Sequence, residues 1–288
     1  MALVEELPPA TPGDRVVAID FAGYENVAPY IFNRAQFLET VKRKRYEHEL
    51  LPEEVVAPLK AMGDLQQAIA DGPPDEIVLD ITTLPRNYLF CICRSLAELA
   101  LPTTLRYYRP KNYGTELSRG VRHVQAIPGF EGDVGPGGES VLAIVLGFEG
   151  YKAWHAWESV GPNKVIALFG DPPYEPGLLT ISRAENDEFL RQIGDFSEGK
   201  LHTHDVRVAR DQLQTLYGQL LAQDPQLSFV VCPLGTKLQS LAVFSLAVKN
   251  NQIAVIYVSS LNYYSEAYSR GYDPEFVEIP LAELTEAR

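Results

Sequence analysis

The stretch Phe229–Asn250, FVVCPLGTKLQSLAVFSLAVKN, decides the fold reading. An apolar run without alternation suits a strand buried on both faces. Gly235 marks a turn, and the apolar run from Leu238 onward suits a buried helix. Thr236 with Gln239 three residues on is a capping-box pattern for that helix. A degenerate copy stands earlier, at Val78–Ala100, VLDITTLPRNYLFCICRSLAELA.

Further matches surround this pair. At a shift of 150 residues, Ser95-Leu96-Ala97 falls on Ser245-Leu246-Ala247 and Asn112-Tyr113 on Asn262-Tyr263. One residue of slippage later, Ser118-Arg119-Gly120 falls on Ser269-Arg270-Gly271. Upstream, Val16–Ile19 matches Val141–Ile144, and Gly23-Tyr24-Glu25 matches Gly147-Phe148-Glu149. Internal repetition of this kind indicates a duplicated unit. Each half then reads as a strand ending in Gly-aromatic-Glu, a second strand feeding an apolar helix, and a third strand running into a loop with Asn-Tyr and Ser-Arg-Gly. The spacing between the first two parts is longer in the second half, which implies an insertion there.

Strands alternate with helices along the rest of the chain, so the expected class is α/β with mainly parallel sheet, as two Rossmann-like halves. The first half is expected over residues 1–128 and the second, with its insertion, over 140–288. Residues 129–139, within a stretch carrying five Gly and two Pro, read as a flexible linker. A helix is expected over Arg34–His48 with Asn33 as N-cap, followed by two short helices broken at Gly63. Another is expected from Arg183 to Ile193, opened by a capping box of Ser182 and Glu185.

With 46% hydrophobic and 22% charged residues, the chain belongs among globular proteins. A net charge of −13 argues against an extended nucleic-acid footprint, which needs clustered cations. The basic stretch Val41–Tyr46 reads as a solvated helix face. No apolar run is long enough to span a membrane, and the N-terminal residues lack a signal-peptide pattern, so a cytoplasmic protein is the expectation. Cys91, Cys93 and Cys232 read as small core residues, and no cofactor or metal is called for. His202 and His204 with Asp205 form a weak metal pattern.

The repeated polar motifs all fall at the carboxyl ends of expected strands, where open α/β sheets bind ligands. Candidate ligand-binding residues are Gly23, Tyr24, Thr83, Arg86, Tyr113 and Arg119 in the first half, and Gly147, Gly235, Thr236, Lys237, Tyr263 and Arg270 in the second. Arginine and lysine there suit phosphate or carboxylate groups. The tyrosines, with Tyr107, Tyr108 and Tyr264, suit stacking on a ring. Glu25 and Glu149 are the candidate acid/base residues, backed by Asp20 and Asp80. Neither the Walker spacing nor a dinucleotide fingerprint is present.

The strand, Leu-Gly-Thr-Lys turn and apolar helix of Phe229–Ala247 resemble those of the CRISPR-associated Rossmann-like ligand-sensing domains. That resemblance implies a pocket for cyclic oligonucleotides, with Gly235, Thr236 and Lys237 as binding residues, and a prokaryotic defence or signalling setting. It covers some twenty residues, and the chain departs from the pattern in having two matched halves and no recognisable nuclease domain. Two further readings stand beside the binding or sensing of a nucleotide-like phosphorylated small molecule. One is a hydrolase or glycosyl-transfer enzyme using Glu25 or Glu149. The other is an interaction protein with a protein partner or a homodimer.

Overall fold

The computed structural model describes residues 9–21, 28–53, 57–113, 117–133, 138–263 and 269–286. The chain forms two compact units, one from residues 1–116 with 264–280 and one from 117–263 with 281–288. These units do not coincide with the sequence halves, because each takes one strand from the other half.

Unit 2 holds a six-stranded sheet. Its strands are β5 (Ser118–Ala126), β6 (Ser140–Val145), β7 (Lys164–Gly170), β8 (Ser197–Leu201), β9 (Ser228–Pro233) and β10 (Ile253–Tyr263). The order across the sheet is β5-β10-β9-β6-β7-β8. All neighbours are parallel except β5, which runs antiparallel to β10. From β6 the chain builds outward to β7 and β8, then returns to β6's other side for β9 and β10. This is the doubly wound Rossmann order, with β6 as its first strand. Residues 141–145 of β6 and all of β9 are buried, as the unbroken apolar runs require.

Four helices of unit 2 provide crossovers. Helix α4 (Gly150–Val160) joins β6 to β7, α5 (Leu178–Ile193) joins β7 to β8, and α6 (Val206–Gln223) joins β8 to β9. Helix α7 (Lys237–Ala247) joins β9 to β10 and is buried from Leu238 through Ala247, consistent with a sequence apolar on every side. The short α8 (Ala282–Thr285) returns to this unit, where Leu284 accepts a 2.6 Å hydrogen bond from Ser245 Oγ through its carbonyl.

Unit 1 repeats the plan with fewer parts. Strand β1 (Arg15–Phe21) pairs in parallel with β2 (Glu47–Glu53). A second sheet has the order β11-β4-β3, from β3 (Ile77–Asp80), β4 (Thr103–Tyr113) and β11 (Ser269–Pro280). The pairings β1–β2, β3–β4 and β4–β11 correspond to β6–β7, β9–β10 and β10–β5 of unit 2, and β8 has no counterpart among the described strands of unit 1. Helices α1 (Ala28–Arg43), α2 (Pro58–Asp71) and α3 (Arg86–Glu98) connect them.

Several expectations are corrected. The helix expected at Arg34–His48 is α1, which contains Asn33 and ends before Arg45, a residue with φ of 67°. β2 follows it. Its sequence EHELLPE is too polar to show a strand pattern, and pairing with β1 overrides the local preference. Gly63 lies inside α2 rather than between two helices, with Pro58 at the first turn where its missing N–H costs nothing. β3 is not buried on both faces, since Val78 is 38% exposed. Ser182 lies inside α5, whose N-cap is Gly177, so no capping box opens that helix.

The expected linker is largely part of unit 2. Phe130 is buried with its ring 5.9 Å from Phe244, and Asp133 N donates to Asn251 O at 2.7 Å. At Gly138 a Cβ would overlap the Gln226 carbonyl, so glycine there permits close packing rather than flexibility. The Asn-Tyr and Ser-Arg-Gly motifs are not loops either: they are the ends of β4, β5, β10 and β11.

Candidate functional site

In unit 2 the connections leaving β6 and β9 depart to opposite sides of the sheet. Between such connections an open α/β sheet forms its ligand crevice. Two motifs singled out from the sequence, Gly147-Phe148-Glu149-Gly150 and Leu234-Gly235-Thr236-Lys237, are these two connections. Leu234 N donates to Val145 O at 2.9 Å, which holds them side by side.

The glycines here serve close packing. A Cβ on Gly147 would overlap the Leu234 carbonyl, and one on Gly150 would overlap the Glu185 carbonyl. Gly147 O accepts from Ser182 Oγ and Asn186 Nδ2, both at 2.9 Å. A Cβ on Gly235 would meet Gln239 Oε1 and lie 2.7 Å from Val145 Cγ1. The space beside Gly235 is therefore filled from within the protein.

The capping box at α7 is present as expected. Thr236 Oγ1 accepts from Gln239 N at 3.2 Å, and Gln239 Oε1 accepts from Thr236 N at 2.9 Å. Gln239 Nε2 also donates to Leu201 O at 2.9 Å, tying the helix start to β8. Lys237, the first residue of α7, is half-buried.

Glu149 occupies the N-cap position of α4, yet its carboxylate does not cap that helix. It turns into a polar cluster. Lys152 Nζ lies 2.6 Å from Glu149 Oε2, with the two side chains 5% and 13% exposed. Ser118 Oγ donates to Glu149 Oε1, and Tyr151 OH lies 3.1 Å from the same oxygen. Ser118 Oγ is also 2.6 Å from Tyr151 OH and 2.7 Å from Ser260 Oγ. A serine hydroxyl has one proton. Since Ser118 gives its proton to Glu149, Ser260 donates to Ser118, and the three groups form a directed chain ending on the carboxylate. Burial pushes the Tyr151 phenol up to about 12, opposed by its hydrogen bond with Ser118 and reinforced by the negative charge of Glu149.

Sequence reading found Glu149 but not Ser118, Tyr151, Lys152 or Ser260 as its partners. The one signal in the sequence is the repeated Ser-Arg-Gly motif, whose first residue is Ser118. Arg119 itself is exposed on β5, opposite Asn262.

In unit 1, Thr83 is exposed in the turn after β3 and Arg86 is the half-buried first residue of α3. Asp80 Oδ1 accepts from Thr82 N at 2.8 Å, and Thr82 Oγ1 from Tyr108 N at 3.1 Å, so Asp80 shapes the turn. Tyr107 and Tyr108 are buried rather than available for stacking, and Tyr108 packs against Tyr272 and Phe276 at 5.8 and 5.4 Å. Gly23, Tyr24, Glu25 and Tyr264 lie outside the described residues. For Asp20, Tyr113, Tyr263 and Arg270 only the strand position is described.

The histidine pattern is a helix start. His202 Nδ1 accepts from Asp205 N at 3.0 Å, and Asp205 Oδ1 caps α6 by accepting from Arg207 N at 2.8 Å. Among the described residues, no group of three or more His, Cys, Asp or Glu side chains is placed to hold a metal. The three cysteines are buried, and burial pushes the Cys93 thiol up. No helix among the described residues is long and apolar enough to cross a membrane.

No known protein family and no curated protein matches the chain. Among solved structures, a periplasmic ribose ABC transporter protein from Conexibacter woesei overlaps 84% of this chain and 70% of its own, at 14% identity and a TM-score of 0.26. A universal stress protein from Archaeoglobus fulgidus overlaps 86% of each chain, at 6% identity and a TM-score of 0.27. Overlaps this loose identify no ligand.

Proposed function

We propose that the protein binds or senses a nucleotide-like, phosphorylated small molecule at the carboxyl ends of β6 and β9 in unit 2. The observation that carries this reading is the meeting of Gly147–Gly150 and Leu234–Lys237 at the switch point of a doubly wound sheet. Lys237 supplies a cation at the first turn of α7, where the helix dipole also favours an anion. Glu149 with Ser118, Tyr151 and Ser260, on the connection that leaves β6, adds hydroxyl-binding chemistry. The Gly-Thr-Lys resemblance to ligand-sensing domains supports the same class of ligand and a prokaryotic signalling role.

A thermal-shift panel of mononucleotides, dinucleotides and cyclic oligonucleotides tests it. The expected result is stabilisation by at least one phosphorylated member, reduced about tenfold in affinity by Lys237→Ala. No stabilisation by any member, with the variant indistinguishable from the parent, overturns the reading.

The second reading, an enzyme using Glu149, has one observation in its favour: the Ser118 hydroxyl donates directly to that carboxylate. Ser118, Tyr151 and Lys152 all direct donors at the Glu149 carboxylate, which leaves it the acceptor of the cluster. Under this reading Glu149→Gln abolishes turnover of a ligand found in the panel while leaving its binding intact.

A further inference from the structure

The repeated motifs pair with each other across the two sequence halves. In unit 2, Tyr263 faces Ser118 and Asn262 faces Arg119. In unit 1, Tyr113 faces Ser269 and Asn112 faces Arg270. The Asn-Tyr of each half thus meets the Ser-Arg-Gly of the other. β5, the last strand of the first half, completes the sheet of unit 2, and β11, from the second half, completes the β4 edge in unit 1.

We propose that the two sequence halves are each other's binding partners by reciprocal strand donation, and that the covalent link through residues 134–137 is not what holds them together. Adding a strand to an exposed sheet edge is an established mode of recognition, with main-chain hydrogen bonds giving affinity and alternate side chains giving specificity. Both ingredients are present. The β5–β10 register runs from Ala126 opposite Ile256 to Ser118 opposite Tyr263, interrupted by one irregularity at Ser259/Ser260. The β4–β11 register runs from Thr104 opposite Pro280 to Tyr113 opposite Ser269, interrupted by one irregularity between Tyr272 and Phe276.

Side chains anchor each donated strand. Beyond β5, Ile127 and Phe130 are buried, Ile127 N donates to Val255 O and Val255 N to Phe130 O, both at 2.8 Å. Ser118 enters the Glu149 cluster, so that cluster is built from both halves. On β11, Glu278 Oε1 accepts from Arg106 Nη2 at 2.5 Å, the Arg106 guanidinium lies 4.5 Å from the Phe276 ring centroid, and Ile279 is buried. The repeated polar motifs are accounted for as the two matched ends of these exchanged pairs.

The test uses the full chain with a protease recognition sequence placed within residues 134–137, folded first and nicked afterwards. Two facing pairs are replaced separately, Arg119→Cys with Asn262→Cys, and Asn112→Cys with Arg270→Cys. Antiparallel partners lie at Cα separations that a disulfide spans, and the native cysteines are buried. The expected result is that nicked protein elutes as one species in native buffer. After oxidation, each double variant should run at full-length mass on a denaturing gel without reductant and as two fragments with it, while single variants run as two fragments throughout. Separation of the halves on nicking overturns the proposal. So does co-elution without cross-linking at both pairs, which shows the halves held by something other than strand exchange. Neither result depends on a ligand, so the test stands apart from the binding reading.

Discussion

The two helix starts that flank the β6–β9 switch point solve the same problem differently. At α7, Thr236 and Gln239 satisfy each other's backbone groups, and the helix start is closed by its own side chains. At α4, the N-cap residue Glu149 leaves its helix uncapped and sends its carboxylate to Ser118, Tyr151 and Lys152. A capping box stabilises a helix by about 1 kcal/mol. The α4 arrangement forgoes that contribution and instead buries an ion pair, whose net effect on stability is small or unfavourable. The contrast sets a buried polar cluster at α4 against a self-capped helix start at α7, where Lys237 and the helix dipole are what the proposed ligand would meet.

The most direct way to break this comparison is to remove the cation of the pair. Lys152→Met leaves the Glu149 carboxylate buried without its ammonium, and the expected loss is about 3 kcal/mol in denaturant unfolding. Adding Glu149→Gln should recover part of it. If Lys152→Met is neutral, the pair is not buried in solution. Next in size is Gly150→Ala. Its Cβ would overlap the Glu185 carbonyl, so α4 and α5 must move apart, at a cost of about 2 kcal/mol. Thr236→Ala removes the cap of α7 and should cost about 1 kcal/mol, with hydrogen exchange increasing in the first turn of α7 and not at α4.

The smallest effect is read in pH. The Tyr151 phenol titrates near 12 in the fold against an ordinary value of 10. The folded state therefore keeps a proton that the unfolded chain releases. This contribution is fully present below pH 10 and is lost as pH rises toward 12. Half exposure of the ring screens the effect, so the slope of stability against pH should be shallow. Tyr151→Phe should flatten it, and an unchanged slope between pH 9.5 and 11.5 would remove Tyr151 from the cluster.

What was legible in the sequence follows from locality. The unbroken apolar runs of β6 and β9, the capping box four residues long, and the order of repeated parts are all encoded by neighbours. The class of fold and the carboxyl-end placement of Gly147, Glu149, Gly235, Thr236 and Lys237 came from these. The charged strand β2 was hidden because its identity lies in pairing with β1. The Glu149 cluster was hidden because Ser118 and Ser260 reach it only through the antiparallel register of β5 on β10. The strand exchange left a visible trace, the Asn-Tyr and Ser-Arg-Gly echo, but repetition records that two segments are alike and not that they touch.

The exchange also sets a timetable. β11 is synthesised roughly 150 residues after β4, an interval of roughly 8–30 s at ribosomal rates of 5–20 residues per second. Until then the β4 edge in unit 1 stands open, with its main-chain groups unpaired on that side. Unit 2, by contrast, has β5 in hand before β10 emerges. The unit whose residues come first thus waits for its edge strand until every strand of the unit 2 sheet has been made, and the nascent chain must keep that edge from other strands in the meantime.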